Sequence, residues 1–350
     1  MINRKKTTPV KISNIYIGGD NKIAVQSMCN TKTADILSTV NQITKLKNAG
    51  CDIIRVAVPD EESARAIYEL KNKCDIPIVA DIHFSHKLAL MSIDAGADKI
   101  RINPGNIGSN DRVSQVISAC IQKNIPVRIG VNSGSLEKDI LQKYGAPNAQ
   151  ALSESVIQSV RLLESMDFNN IVLSVKSSDV RSTVDSYKIL SEQINYPLHI
   201  GVTEAGTLKS GIVKSAAGIG ALLLDGIGDT FRVSLTADPI EEITAAYDIL
   251  TAVGLNKTKP EIISCPTCGR TQIDLITLAN KIEEELKNVN KCIKVAVMGC
   301  AVNGPGEARE ADIGVAGGKD EGLIFKKGKI LRKVPENEII PALLKEINDL

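Results

Sequence analysis

Two sets of side chains have the types and spacing to do chemistry. The first is the pair Cys265-Pro266-Thr267-Cys268, with Cys300 following in a glycine-rich stretch that ends at Glu307. A CxxC pair plus one distant cysteine fits a metal site. Three thiolates leave one coordination position, which in a four-iron cluster could go to an oxygen ligand or a substrate. Glu307 is an available carboxylate. Cys292 could instead complete a four-thiolate zinc ribbon. It begins a run whose alternate residues read as buried, however, and that favours a small core residue. Spacing alone leaves zinc and iron–sulfur open.

The second set is basic. Arg55 (IIRVAV), Arg101 (KIRIN), Arg128 (VRIGV), Lys176 (LSVKSS) and Arg232 (TFRVSL) interrupt or end short apolar runs. Charged side chains are rarely buried unless paired. Converging at one end of a sheet they would trap an anion, and arginine suits bidentate phosphate contacts. The alternative is internal pairing with acids such as Asp81 and Glu204, but few acids fall at run ends. Polar groups occupy the same level: Asp81 and His83, Asn103, Asn132 with Ser135, and Glu204 in a Thr-Glu-Ala-Gly turn. Glycine-rich loops there can cradle phosphate oxygens with backbone N–H groups. His83 and His199 are candidate acid and base groups or hydrogen-bonded structural residues, and no HxH or HExxH pair suggests zinc catalysis.

These residues need elements to position them. Short runs at 23–26, 53–58, 77–81, 99–103, 126–131, 171–175, 197–202 and 230–234, mostly rich in Ile and Val, read as buried parallel strands. Helical patterns at 35–48, 63–70, 87–95, 111–122, 152–166, 180–193, 208–224 and 239–253 follow them in turn. Eight strand–helix units over about 250 residues make a (β/α)8 TIM barrel, whose strands present site residues at their C-terminal ends. The polar stretch GLNKTKP closes this region, giving a barrel over 1–255 and a small α+β domain over 256–350. The latter should hold strands at 261–264, 293–298 and 312–316, helices at 271–286 and 338–347, and a hairpin at 323–334.

Composition narrows the function classes. The 350 residues carry 42 basic and 41 acidic side chains, four Phe, six Tyr and no Trp. Neutral balance and scarce aromatics argue against nucleic-acid or membrane-surface binding. No apolar stretch approaches the roughly 20 residues of a membrane span, and no secretory signal opens the chain. Eight cysteines are too sparse for a disulfide scaffold, so a reducing cytoplasm is expected. Two other readings use the same residues: a zinc-stabilised barrel acting in pterin or methyl transfer, and a zinc-ribbon binding module.

The motifs VQSM, VADIHF, KIRINPGNIG, RIGVNSGSLEKD, VTEAG, SGIVKSA, GIGDTFRVSLTADP, CPTCGR and GCAVNGPGE stand in the order of one family. Nearly end to end, the sequence resembles the 4-hydroxy-3-methylbut-2-en-1-yl diphosphate synthases of the methylerythritol phosphate pathway. The resemblance implies a TIM barrel joined to a [4Fe–4S] domain in the short bacterial arrangement. It implies cluster ligation by Cys265, Cys268, Cys300 and Glu307. It further implies reduction of 2-C-methyl-D-erythritol 2,4-cyclodiphosphate, with flavodoxin or ferredoxin as donor. A homodimer is implied in which one chain's cluster domain closes over its partner's barrel. The expected substrate contacts are Arg55, Asp81, His83, Arg101, Asn103, Arg128, Asn132, Ser135, Lys176, His199 and Arg232. Glu204 is the expected proton donor for the departing hydroxyl, and Glu307 the exchangeable cluster ligand. Two residues depart from the pattern: Cys29 where Thr is frequent, and Asp225 where Glu is.

Overall fold

β-Branched runs bounded by Pro, Gly and Asp set the strands. The computed structural model describes residues 2–256, 259–287, 289, 291–300, 306 and 308–350, with the side chain of residue 135 excepted. A hairpin comes first, β1 (Val10–Ile12) and β2 (Ile15–Ile17). Eight barrel strands follow: β3 (Ala24–Met28), β4 (Ile53–Ala57), β5 (Ile78–Asp81), β6 (Lys99–Ile102), β7 (Val127–Asn132), β8 (Ile171–Lys176), β9 (His199–Ile200) and β10 (Thr230–Phe231). They form one parallel sheet in the order β8-β7-β6-β5-β4-β3-β10-β9. A parallel bridge between Leu173 and Leu198 joins the two ends, where the Leu173 N–H donates to Pro197 O at 2.9 Å. The sheet is thus a nearly closed barrel.

Several of the connections between strands and helices supply a helix start signal. Asp35, Asp60 and Asp179 accept from the backbone N–H three residues ahead, opening Ile36–Asn48, Glu61–Lys73 and Val180–Gln193. The hairpin and the helix Lys138–Tyr144 were not expected from the sequence. The hairpin has a clear role. Val10, Ile12 and Ile17 pack against Ala24, Ile53, Val79 and Val172, plugging the base of the barrel. That contact fixes which residues point inward. Side chains alternate along a strand, so Gln26, Met28, Arg55, Asp81, Arg128, Ser174 and Lys176 also face the axis. The N-terminal segment ties down the same end: Arg4 Nη2 and Thr7 Oγ1 donate to Asp229 Oδ1 at 3.3 and 3.0 Å. Asp225, which pairs with Lys188 at 2.8 Å, lies at this base too, away from the mouth.

By its internal contacts the chain divides into units Met1–Ile249 and Leu250–Leu350. The second contains β11 (Glu261–Ser264), β12 (Lys294–Met298), β13 (Ile313–Gly318), β14 (Glu321–Lys326) and β15 (Lys329–Pro335), in that order across one sheet. The first three are parallel and the last two antiparallel. Helices Leu275–Leu286 and Ile339–Asn348 bury Ile282, Leu286, Leu343 and Ile347 against Val295, Val297, Ile313 and Ile324. The first of these helices starts at Leu275 rather than 271, because Asp274 accepts from Thr277 N–H and caps it there. Among the described residues no helix is long and apolar enough to cross a membrane.

Candidate active site

The upper interior of the barrel is polar, and one acid organises it. Asp81, last on β5, is paired with Arg101 of β6 (Nη1 to Oδ1, 3.2 Å) and Arg55 of β4 (Nε to Oδ2, 3.7 Å). All three side chains are buried. Burial pushes the Asp81 carboxyl up, but Arg55, Arg101, Arg128 and Lys176 outweigh it and hold the group below the usual carboxylate range. The exposed His83 places Nε2 4.0 Å from Asp81 Oδ2. Arg101 is further held by Gly130 O, which accepts from Nη2 at 3.2 Å. A Cβ on Gly130 would lie 2.6 Å from Arg101 Nε, so glycine there makes room for the guanidinium.

A second acid, missed in the sequence, organises the opposite side. Glu242, on the helix Pro239–Ala252, accepts from Arg232 Nε at 3.0 Å and Nη2 at 2.7 Å. It also accepts from Ser27 Oγ at 2.9 Å and Leu235 N–H at 3.2 Å. Met28 Sδ lies between the two arginine groups, 3.0 Å from Arg55 Nε and 3.7 Å from Arg232 Nη1.

Among the described residues the remaining cations have no acid of their own. Arg128 is wholly buried, and none of its three guanidinium nitrogens has a hydrogen-bond partner among the described residues. Arg55 Nη1 and Arg101 Nε are likewise unpartnered. Burial, followed by repulsion from Arg55 and Arg101, lowers the Arg128 pKa well below the usual arginine value. Burial, then Arg55, Arg128 and Arg101, does the same to Lys176. Burial brings Arg55 down to about 10 despite Asp81. A second missed residue is another basic side chain in this interior: Lys99, at the start of β6, is fully buried. Buried donors without acceptors are costly, and the arrangement is one that a multiply charged anion would relieve.

The other expected site residues lie at the ends of the strands from β6 to β9 or in the loops that follow them. His199 is buried, its Nδ1 3.4 Å from Thr230 Oγ1. Burial, then Arg128, Lys99, Arg55 and Lys176, holds it well below the usual imidazole value, which leaves a neutral ring unsuited to act as an acid. Asn132 and Lys176 are register partners at the ends of β7 and β8. Asn103 is buried, and its Oδ1 accepts from Gly105 N–H at 3.2 Å, capping the turn that follows. Ser135 ends a short 3-10 helix at the end of β7, and its side chain lies outside the described residues. Glu204 is exposed in the loop after β9, with a left-handed φ of 50°. That conformation is uncommon for a residue with a Cβ and concentrates at functional sites. Glu204 forms no salt bridge among the described residues, so charge balance falls to Asp81 and Glu242 instead.

In the second unit, Cys265 and Cys300 follow the adjacent parallel strands β11 and β12. Cys265 Sγ accepts from Gly299 N–H at 3.2 Å, which brings the two cysteine segments together. Cys268 N–H donates to Thr271 Oγ1 at 3.2 Å. The Cys268 thiol is held below its ordinary value, chiefly by hydrogen bonding from Arg270. Soft sulfur donors with backbone N–H groups aimed at them fit an iron–sulfur cluster. Glu307 lies outside the described residues, and among the described residues no group of three or more potential ligands is already drawn together. Cys292 is exposed rather than a core residue, because it precedes the buried part of β12. Cys29, where Thr is frequent in the family pattern, is buried, and burial pushes its thiol up to about 12. Cys51, Cys74 and Cys120 are buried packing residues.

Comparison with known proteins agrees with this architecture. Residues 7–247 match the GcpE TIM-barrel domain and residues 261–349 the GcpE protein C-terminal domain. The 4-hydroxy-3-methylbut-2-en-1-yl diphosphate synthase (flavodoxin) of Clostridium perfringens is 58% identical over 349 residues, covering 100% of both chains. The enzyme of the same name from Anoxybacillus flavithermus is 55% identical over 100% of this chain and 96% of its own. Among solved structures, dihydropteroate synthase from Stenotrophomonas maltophilia superposes with a TM-score of 0.50 at 15% identity, covering 70% of this chain and 97% of that one. The 3-dehydroquinate dehydratase of Geobacillus kaustophilus has a TM-score of 0.50 at 15% identity, covering 71% and 99%. At such identity these two likenesses concern the barrel fold alone.

Proposed function

The chain belongs to the GcpE family, alongside the 4-hydroxy-3-methylbut-2-en-1-yl diphosphate synthases, and from that premise we propose how it works. It converts 2-C-methyl-D-erythritol 2,4-cyclodiphosphate to (E)-4-hydroxy-3-methylbut-2-enyl diphosphate, taking two electrons and releasing water. The observation that carries the barrel's role is the surplus of buried cations, above all the unpartnered guanidinium of Arg128.

Arg55, Arg101, Arg128, Lys176 and Arg232 hold the cyclic diphosphate, and Asp81 and Glu242 fix the arginines that flank it. Opening the ring breaks a carbon–oxygen bond and leaves an additional negative charge on the diphosphate. Cations preset around that group stabilise the developing charge without reorganising. Asn103, Asn132 and Ser135 contribute hydrogen bonds, and His83 and the neutral His199 serve as polar contacts. Glu204 gives a proton to the departing hydroxyl. Its exposure keeps the carboxyl in reach of solvent for reprotonation.

The barrel of residues 1–255 is the substrate domain and 256–350 the cluster domain. Cys265, Cys268 and Cys300, with Glu307, would hold a [4Fe–4S] cluster, which when bound supplies electrons singly. Flavodoxin is the donor named for the relatives, and ferredoxin is the alternative. The working form is a cytoplasmic homodimer, a reading supported by the family resemblance. Metal analysis after anaerobic purification tests the cofactor. About four irons per chain, lost in Cys265→Ser, fits the proposal, whereas stoichiometric zinc without iron defeats it.

A further inference from the structure

Lys99 is a buried base for which the proposed reaction has no role. Its exposure is 0%, and Nζ has no hydrogen-bond partner among the described residues. In register it pairs with Val79, and Asp81 pairs with Arg101 two residues on. Lys99 therefore faces the axis one tier below the Asp81–Arg101 pair, between the basal plug and the anion site. The groups that act on it or share its tier are all basic or neutral: Arg128 from β7, Arg55 from β4, and His199 from β9. Arg101 is on its own strand. Asp81 is already engaged by Arg55 and Arg101, and Lys176 adds positive charge above. The neighbouring Asp98 points away, binding Lys71 and the Ile78 N–H.

We propose that Lys99 is a positioning residue for anion binding: uncharged in the empty barrel, it takes up a proton when a diphosphate enters, placing a cation beneath the ligand. An ammonium without an acceptor in this interior is disfavoured by desolvation and by Arg128 and Arg55. A diphosphate on those two arginines cancels the repulsion and supplies negative charge from above. Proton uptake and anion binding are then reciprocally linked. Affinity rises as pH falls through the window in which Lys99 is neutral in the free protein and charged in the complex. The inference rests on the cyclodiphosphate reading of the site.

The test is calorimetric titration of the full chain with 2-C-methyl-D-erythritol 2,4-cyclodiphosphate at about pH 8, in buffers of different ionisation enthalpy, to count protons exchanged. Each phosphorus of this ligand bears one strongly acidic oxygen, so the ligand exchanges no protons near neutrality. Wild type should take up protons on binding. Lys99→Met should take up about one fewer, bind with a flatter pH dependence, and melt above wild type, because an apolar isostere replaces an unpaired buried amine. Lys99→Gln should show the same loss of uptake. Unchanged uptake in both variants, or melting of Lys99→Met below wild type, overturns the inference. Failure of wild type to bind the ligand at all overturns the functional reading beneath it.

Discussion

Glu242→Gln isolates the second organising acid from the first. Glu242 is 2% exposed and makes four hydrogen-bond contacts, two of them to Arg232, whose own side chain is 18% exposed. Removing one partner of a buried ion pair costs about 3–5 kcal/mol. Glutamine keeps the shape and one acceptor, and Arg232 is partly solvated, so about 2–3 kcal/mol is the working figure. For a unit of this size each kcal/mol shifts Tm by about 2–4 °C, giving a fall of about 4–12 °C. The assay is thermal unfolding followed by circular dichroism on the full chain. Glu241→Gln is the control, since Glu241 sits on the same helical turn but is exposed. If Glu242→Gln melts within about 2 °C of wild type, or Glu241→Gln falls equally far, the pair does not organise the site as described.

Other outcomes follow from the same geometry. Gly130→Ala forces a methyl to 2.6 Å from Arg101 Nε, so Arg101 must shift, and the substrate KM should rise about tenfold with iron content unchanged; an unaltered KM contradicts this. Asp81 has a folded pKa below its unfolded value of about 3.9, so its contribution is complete above that pH and is lost as pH falls toward the folded value. The stability gap between wild type and Asp81→Asn should be flat from about pH 8 to 5 and narrow below about pH 4, whereas a gap that drifts near neutrality would count against it. Glu204→Gln should lower kcat about 100-fold while cluster loading and Tm stay at wild-type values, and unaltered turnover would remove the acid role.

The barrel was legible because each strand is a short β-branched run, and the five basic residues because a charge inside such a run is conspicuous. Glu242 was not, since Glu241-Glu242 after Asp238-Pro239 reads as ordinary acidic residues in a helix's first turn. Packing alone turns one of the pair inward. Lys99, first in its run, resembled a solvated strand end, although its spacing of two from Arg101 carried the signal. The hairpin was detectable in principle from the alternation of Val10, Ile12, Ile15 and Ile17, but two three-residue strands offer little pattern. The cysteine loops were visible from spacing. The expectation that Glu307 joins them came from the resemblance, because no backbone periodicity marks a cluster ligand.

The central claim is that the cationic barrel and the cysteine loops together reduce a cyclic diphosphate. The most direct measurement is phosphorus NMR of 2-C-methyl-D-erythritol 2,4-cyclodiphosphate incubated anaerobically with the iron-loaded full chain and reduced flavodoxin. The account predicts that the cyclic diphosphate resonances give way to those of a linear allylic diphosphate, and that Arg128→Met abolishes the change. Substrate left intact by protein carrying about four irons per chain would contradict it.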